Sequence, residues 1–173
     1  RHFFYMNLIE QIQDNILKLT SPHTFLLAVS GGSDSMVLLH AFYTLKIPFH
    51  VAHVNYGFRD DADKEEALVM NFCIKNKIPL YILKLDGYKE MEQGNEQNLQ
   101  NYARQKRYQF FHSILETHPL NYIVTAHHAL DNAETVLMNI FHSTSFLGLK
   151  GMEIIEGKIF RPLLNVSKEN IEF

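Results

Sequence analysis

Three short runs hold most of the residues able to do chemistry: Ser30-Gly31-Gly32-Ser33-Asp34-Ser35, His53 to Arg59, and Thr125 to Thr135. The first lies between the apolar runs Thr24–Val29 and Met36–Ala41, so it reads as a loop joining a strand to a helix. Paired glycines let backbone N–H groups turn toward an anion without Cβ interference. Ser30, Ser33 and Ser35 add hydroxyl donors, and the helix supplies the positive end of its dipole. A solvated Gly-Ser turn has the same composition, but the flanking strand and helix favour phosphate binding. The spacing GxxxxGK[ST] and its lysine are absent, which excludes a Walker loop. Asp34 suits either of two roles, dipole partner in the first turn of a helix or ligand of a phosphate-bound Mg²⁺.

The other two runs follow further apolar strands. His53, Asn55 and Arg59 are expected on a loop bordering a nucleotide, with Arg59 suited to phosphate. In Thr125-Ala126-His127-His128-Ala129-Leu130-Asp131-Asn132-Ala133-Glu134-Thr135, Asp131 and Glu134 are three residues apart and share a helix face. They could hold Mg²⁺, or one could act as a general base; Asp131 also suits a simple dipole pairing. His127 and His128 have no third, separated partner in the sequence, which argues against zinc. Arg104 and Arg107, beside Tyr108, have the spacing of ordinary solvated helix arginines. Cys73 sits among apolar helix neighbours and reads as a small buried hydrophobe.

These residues need a scaffold, and the pattern around them supplies one. Leu8, Ile9, Ile12, Ile16 and Leu19 fall at helical spacing before Thr20-Ser21-Pro22. Strands are expected at Phe49–Val54, Leu80–Leu85 and Tyr122–Ala126, besides the one before Ser30. Helices are expected at Asp61–Lys75, Asn95–Thr117 and Asp131–Phe141. Such alternation predicts an α/β fold with a doubly wound, mainly parallel, five-stranded sheet and helices on both faces. Ligands of such sheets sit beyond the carboxyl ends of the strands, where Ser30, His53 and Ala126 give way to polar residues. Near the end, Ile154 to Phe160 suggests a small hairpin and Ser167 the cap of a last helix. The expected organisation is an N-terminal extension and helix over 1–22, a nucleotide-binding domain over 23–150, and the hairpin region over 151–173.

Bulk properties narrow the classes. A chain of 173 residues, 46% hydrophobic and 20% charged, suits one globular domain. A net charge of −3 means that any nucleic-acid contact must come from a local patch or from outside this chain. The single cysteine excludes a disulfide framework and fits a reducing cytoplasm. No run approaches the ~18 apolar residues of a membrane span, so no membrane partner is expected. Because the chain opens on Arg1, Met6 reads as a native start, with residues 1–5 an upstream extension.

In order along the chain, SGGSDS at 30, HVNYGFR at 53, ARQKRY at 103, TAHHALDNAET at 125, GLKGM at 148 and RPLL at 161 resemble the motifs of the tRNA(Ile)-lysidine synthetase family. The first of these resembles the PP-loop, SGGxDS, of the wider ATP pyrophosphatase superfamily, whose fold is of the adenine nucleotide α-hydrolase (HUP) type. The resemblance implies a ligase using ATP and Mg²⁺ that joins free L-lysine to C2 of the wobble cytidine of an isoleucine tRNA with a CAU anticodon. It also admits a homodimer. Ser30, Gly31, Gly32, Ser33, Asp34 and Ser35 would hold the phosphates that leave as pyrophosphate, with His53, Asn55, Arg59, His127 and Arg161 completing the nucleotide site. Asp131 would be the general base, aided by Glu134, with Arg104 and Arg107 near the phosphates and Asp34 and Asp131 as Mg²⁺ ligands.

The chain departs from that family in places. Leu130 stands where members often carry a second acid, which removes a two-acid clamp at 130 and 131, and Tyr56 stands where many have histidine. His142-Ser143-Thr144-Ser145 replaces an Arg-Gly-x-Gly stretch, and the family continues into C-terminal domains beyond RPLL. A PP-loop tRNA thiolase would need reactive cysteines or an iron–sulfur cluster, and an amidotransferase synthetase a source of ammonia. A nucleotide-binding sensor on the same fold would bind ATP without releasing pyrophosphate.

Overall fold

The computed structural model describes residues 2–20, 23–57, 61–85, 96–142 and 151–171. Arg59 and the stretch 143–150 therefore lie outside the described residues. In chain order the elements are α1 (His2–Ile16), β1 (Phe25–Ala28), α2 (Ser33–Thr44), β2 (Phe49–Asn55), α3 (Ala62–Asn76), β3 (Leu80–Lys84), α4 (Glu96–Thr117), β4 (Tyr122–Val124), α5 (Ala129–His142), β5 (Ile155–Glu156), β6 (Ile159–Phe160) and a 3-10 turn (Lys168–Asn170).

The sheet runs β3-β2-β1-β4-β6-β5, with every pairing parallel except β5 with β6. β1 is central: Phe25 lies opposite Phe49 on one side and Tyr122 on the other. The chain builds outward from β1 to β3, then returns to lay β4 on the opposite flank. The order therefore reverses between β1 and β4, the place where a doubly wound sheet opens a crevice at its carboxyl edge.

Alternation along each strand divides the core. Phe25, Leu27, Phe49, Val51 and Val124 face one layer, with α1, α2 and α3 residues such as Ile12, Leu38, Phe42 and Val69. Leu26, Ala52, Val54 and Ile123 face the other, against Phe111, Ile114 and Leu115 of α4. Phe25 meets Phe42 edge-on at 5.4 Å and also packs with Phe160 at 6.2 Å, and all three are fully buried. Each such side chain contributes about 1.5–3 kcal/mol of burial.

The expected C-terminal hairpin forms from β5 and β6, and it also joins the main sheet. β6 pairs in parallel with β4, Ile123 opposite Ile159 and Val124 opposite Phe160, which makes the sheet six-stranded rather than five-stranded. The reason is burial: Phe160, Leu163 and Val166 complete the layer that covers α1, and Asn15 donates to the Pro162 carbonyl at 2.9 Å. After Ser167 the described residues form a 3-10 turn, with no side-chain hydrogen bond from Ser167 to cap it.

Candidate functional site

Val29 extends the β1 ladder by donating to Ala52 O at 2.9 Å, and the chain then turns sharply through Ser30 and Gly31. Gly31 has φ +92°, and a Cβ there would lie 2.6 Å from Cβ of Glu65 on α3, so only glycine fits. Gly32 occupies the N-cap position of α2 with no side-chain cap, which leaves first-turn N–H groups facing outward. The loop holds its own shape. Ser30 and Ser35 hydroxyls lie 3.1 Å apart, Gly31 N–H donates to Ser35 Oγ, Gly32 N–H donates to Ser30 Oγ, and Ser35 Oγ donates to Gly32 O at 2.9 Å. Ser33 Oγ donates to Asp34 Oδ1 at 3.4 Å.

The end of β4 meets this loop across the crevice. Asp131 Oδ2 accepts the His128 backbone N–H at 2.7 Å, which fixes the start of α5. The buried His128 ring then spans two carboxylates, with Nε2 3.4 Å from Asp34 Oδ2 and Nδ1 3.2 Å from Asp131 Oδ2. Leu130 N–H points at His128 Nδ1 at 3.3 Å. One imidazole thus joins the first turns of α2 and α5, whose positive ends both face the crevice. Local spacing relates His128 only to His127 and Asp131; nothing in it links His128 to Asp34, and only the convergence of the β1 and β4 ends brings the pair together. His127 receives or gives a hydrogen bond at Thr125 Oγ1, 2.7 Å away. Burial holds the His127 imidazole below its ordinary pKa; Arg161, Arg107 and His128 push the same way, while Asp131 opposes them. A neutral His127 at pH 7 follows.

The third wall comes from α4. Arg107, Tyr108 and Phe111 line a cavity of ≈ 320 Å³ with Ser30, Gly32 to Ser35, Ala52, Val54, Tyr56, His127 and Asp131. The Arg107 guanidinium stands 5.4 Å from the Tyr108 ring centre, and that of the exposed Arg104 stands 5.8 Å from it. The cleft is thus polar at the β1 and β4 ends and aromatic along α4, a lining suited to a nucleotide with its phosphates on the loop.

Other expected site residues are placed elsewhere. His53 and Asn55 are buried and are not among the cleft-lining residues, because alternation along β2 gives the cleft Ala52, Val54 and Tyr56 instead. His53 Nδ1 lies 2.8 Å from Val29 O, bracing the start of the loop, and its Nε2 has no hydrogen-bond partner among the described residues. Asn55 donates to Asp63 Oδ1 and Glu66 Oε2 at 3.0 and 2.9 Å and accepts from Gly57 N–H at 3.0 Å. Glu66 also pairs with Lys84 at 2.8 Å. Burial pushes the Glu66 carboxyl up, but hydrogen bonds from Lys84 and Asn55 outweigh it and hold the group below the ordinary range. Glu134 is exposed and outside the cleft. Buried Arg161 follows β6 and uses Nη1 on Glu153 O and Glu156 Oε2, both at 2.9 Å.

Among the described residues no group of three or more His, Cys, Asp or Glu is placed to hold a metal ion by itself. Asp34 and Asp131 lie on opposite sides of one imidazole. This donor set fits a hard ion such as Mg²⁺ only where substrate phosphates supply the remaining oxygens.

The chain matches the PP-loop domain over residues 5–173. It belongs to the PP-loop family. The PP-loop chain is 38% identical over 154 residues to a tRNA(Ile)-lysidine synthase of Streptococcus equi subsp. zooepidemicus, an alignment covering 84% of this chain and 34% of that protein. It is 39% identical over 151 residues to a tRNA(Ile)-lysidine synthase of Petrotoga mobilis, covering 85% of this chain and 48% of that protein. The chain therefore spans between a third and a half of the length of these relatives. Among solved structures it is similar to the U34-tRNA thiolase NcsA of Methanococcus maripaludis with its [4Fe-4S] cluster. The TM-score is 0.73 at 18% identity, covering 99% of this chain and 63% of that one, a likeness of fold. No helix among the described residues of the PP-loop chain is long and apolar enough to cross a membrane.

Proposed function

We propose that this chain is the PP-loop catalytic part of a cytoplasmic tRNA(Ile)-lysidine synthase, which consumes ATP to attach lysine to the wobble cytidine of an isoleucine tRNA bearing CAU. The observation that carries the reading is the meeting of the SGGSDS loop and the His127–Asp131 turn across one cleft, in a chain 38% identical to a lysidine synthase. Backbone N–H groups at the head of α2 and the Ser33 hydroxyl would hold the two phosphates that depart together. The cytidine C2 oxygen attacks the α-phosphorus, the bond to pyrophosphate breaks, and the base is left adenylated. Loop N–H groups and Arg107 stabilise the charge that collects on the leaving oxygens.

The lysine ε-amine then attacks C2, the C2–O bond breaks, and AMP departs. An ammonium cannot attack, so a base must take its proton. Asp131 is placed for this at the cleft edge of α5, and the His128 backbone N–H holds its carboxylate in position. Neutral His127 would orient either substrate by hydrogen bonding without adding charge. Mg²⁺, when bound by Asp34 and phosphate oxygens, supplies charge neutralisation for the departing pyrophosphate. Glu134, exposed one turn beyond Asp131 on α5 and outside the cleft, would contact the lysine ammonium as it approaches, and Arg161, just after β6, adds positive charge near His127.

Sulfur transfer is the weaker reading for this chain. Cys73 is its single cysteine, it is 1% exposed, and burial raises its thiol to about 11, far from the thiolate that such chemistry needs. Incubation of the full-length protein with ATP, Mg²⁺, labelled lysine and the CAU-bearing tRNA tests the proposal. Label is expected in the tRNA, and its absence refutes the reading.

A further inference from the structure

One stripe of α4 runs from the cleft to solvent. Phe111 is buried in the cleft, Arg107 and Tyr108 line it one turn earlier, and Arg104, a further turn out, is exposed. At 3.6 residues per turn, positions 104, 107, 108 and 111 share one face. Lys106 falls on the opposite side of the helix, seated 5.3 Å from the Tyr102 ring.

We infer that Arg104, held over Tyr108 at the mouth of the cleft, binds the sugar-phosphate backbone of a single-stranded RNA loop next to the nucleotide whose base enters the cleft. The inference rests on the lysidine-synthase reading and adds where the RNA lies on this domain. Three observations carry it. Arg104 has no acidic partner among the described residues, although the whole chain has a net charge of −3. From Ala103 to Leu115 the sequence contains no acid at all, so the stripe offers positive charge with nothing on the same stretch to neutralise it. The aromatic ring beneath Arg104 both orients the guanidinium and borders the cleft, the pairing of cation and stacking surface that a flexible polynucleotide strand requires.

The test is the salt dependence of binding to the CAU-bearing isoleucine tRNA, measured on the full-length protein as wild type, Arg104→Gln and Lys106→Gln. Losing one single-strand phosphate contact should reduce the slope of log K against log salt by about 0.7. Arg104→Gln should also weaken tRNA binding about tenfold at moderate salt. Lys106→Gln, the same charge change on the other face, should leave the slope unaltered. An unaltered slope in Arg104→Gln, an equal loss in Lys106→Gln, or weakened ATP binding with intact tRNA binding would each overturn the inference. If wild-type protein fails to bind this tRNA, the underlying reading falls as well, so the two failures are distinguishable.

Discussion

Strands β2 and β4 flank β1 on its two sides, and each ends in a polar run led by histidine, yet the two ends do opposite things. At the end of β4 the sheet order reverses, and His127 and Asp131 line the cleft. At the end of β2, α3 packs down over the run, and His53 and Asn55 are consumed by internal partners: Val29 O, Asp63, Glu66 and Gly57. One end keeps its polarity available for ligand. The other spends it on holding the phosphate loop and α3 in register, with the Glu65 backbone packed behind Gly31. Polar residues at a strand end therefore indicate a site only where topology leaves that end uncovered.

Substitutions at the two ends should separate these roles. The largest effect is expected from Asp131→Asn, which keeps an acceptor for the His128 N–H but removes the proposed base: kcat for lysine transfer should fall about 10³-fold. Steady-state kinetics with an ATP-binding assay checks this, and retained turnover would mean that the proton leaves by another route. His128→Phe should come next. It breaks the link between Asp34 and Asp131, and we expect kcat to fall roughly 30-fold, with the thermal midpoint measured alongside to confirm folding.

At the β2 end the sign of the comparison changes. Glu66→Leu removes an acceptor from Asn55 and should lower unfolding stability by about 1–3 kcal/mol, while kcat at saturating ATP stays within about twofold. Denaturant titration against activity reads that split. The same carboxyl sets an acid limit. Because its folded pKa is depressed, its contribution is present above the unfolded value near 4.5 and is lost as pH falls through the lower folded value. Glu66→Leu should therefore flatten the acid limb of the stability profile.

The smallest effect lies at the opposite edge of β2. His50 is held below 6.5 by burial and then by the charge of His118, and it contacts Tyr81 OH at 3.0 Å. Its neutral form is favoured by folding, so stability should decline as pH drops below 6.5 toward the folded value, and His50→Gln should remove that part of the decline. Urea midpoints at several pH values suffice to see it.

Much of this arrangement was legible from the residues. Strand and helix alternation located the elements to within a few positions, and Gly31-Gly32 between a strand and a helix marked the loop. Which face of β2 each residue takes was not legible at its end, since His53 and Asn55 look as accessible as Tyr56 until α3 is placed. The link from Asp34 through His128 to Asp131 joins two distant helix starts, and no local periodicity encodes it. β6 was missed as a sheet member because two residues carry too little pattern; only burial of Phe160 against Phe25 reveals its place.

On the proposed function, the cleft cleaves ATP between its α and β phosphates to activate a cytidine for lysine. Product analysis with the full-length protein, CAU-bearing isoleucine tRNA, lysine and ATP tests it most directly. AMP and pyrophosphate are expected to form in step with lysine bound to the tRNA. Formation of ADP and orthophosphate, or of AMP with no lysine transferred, would contradict it.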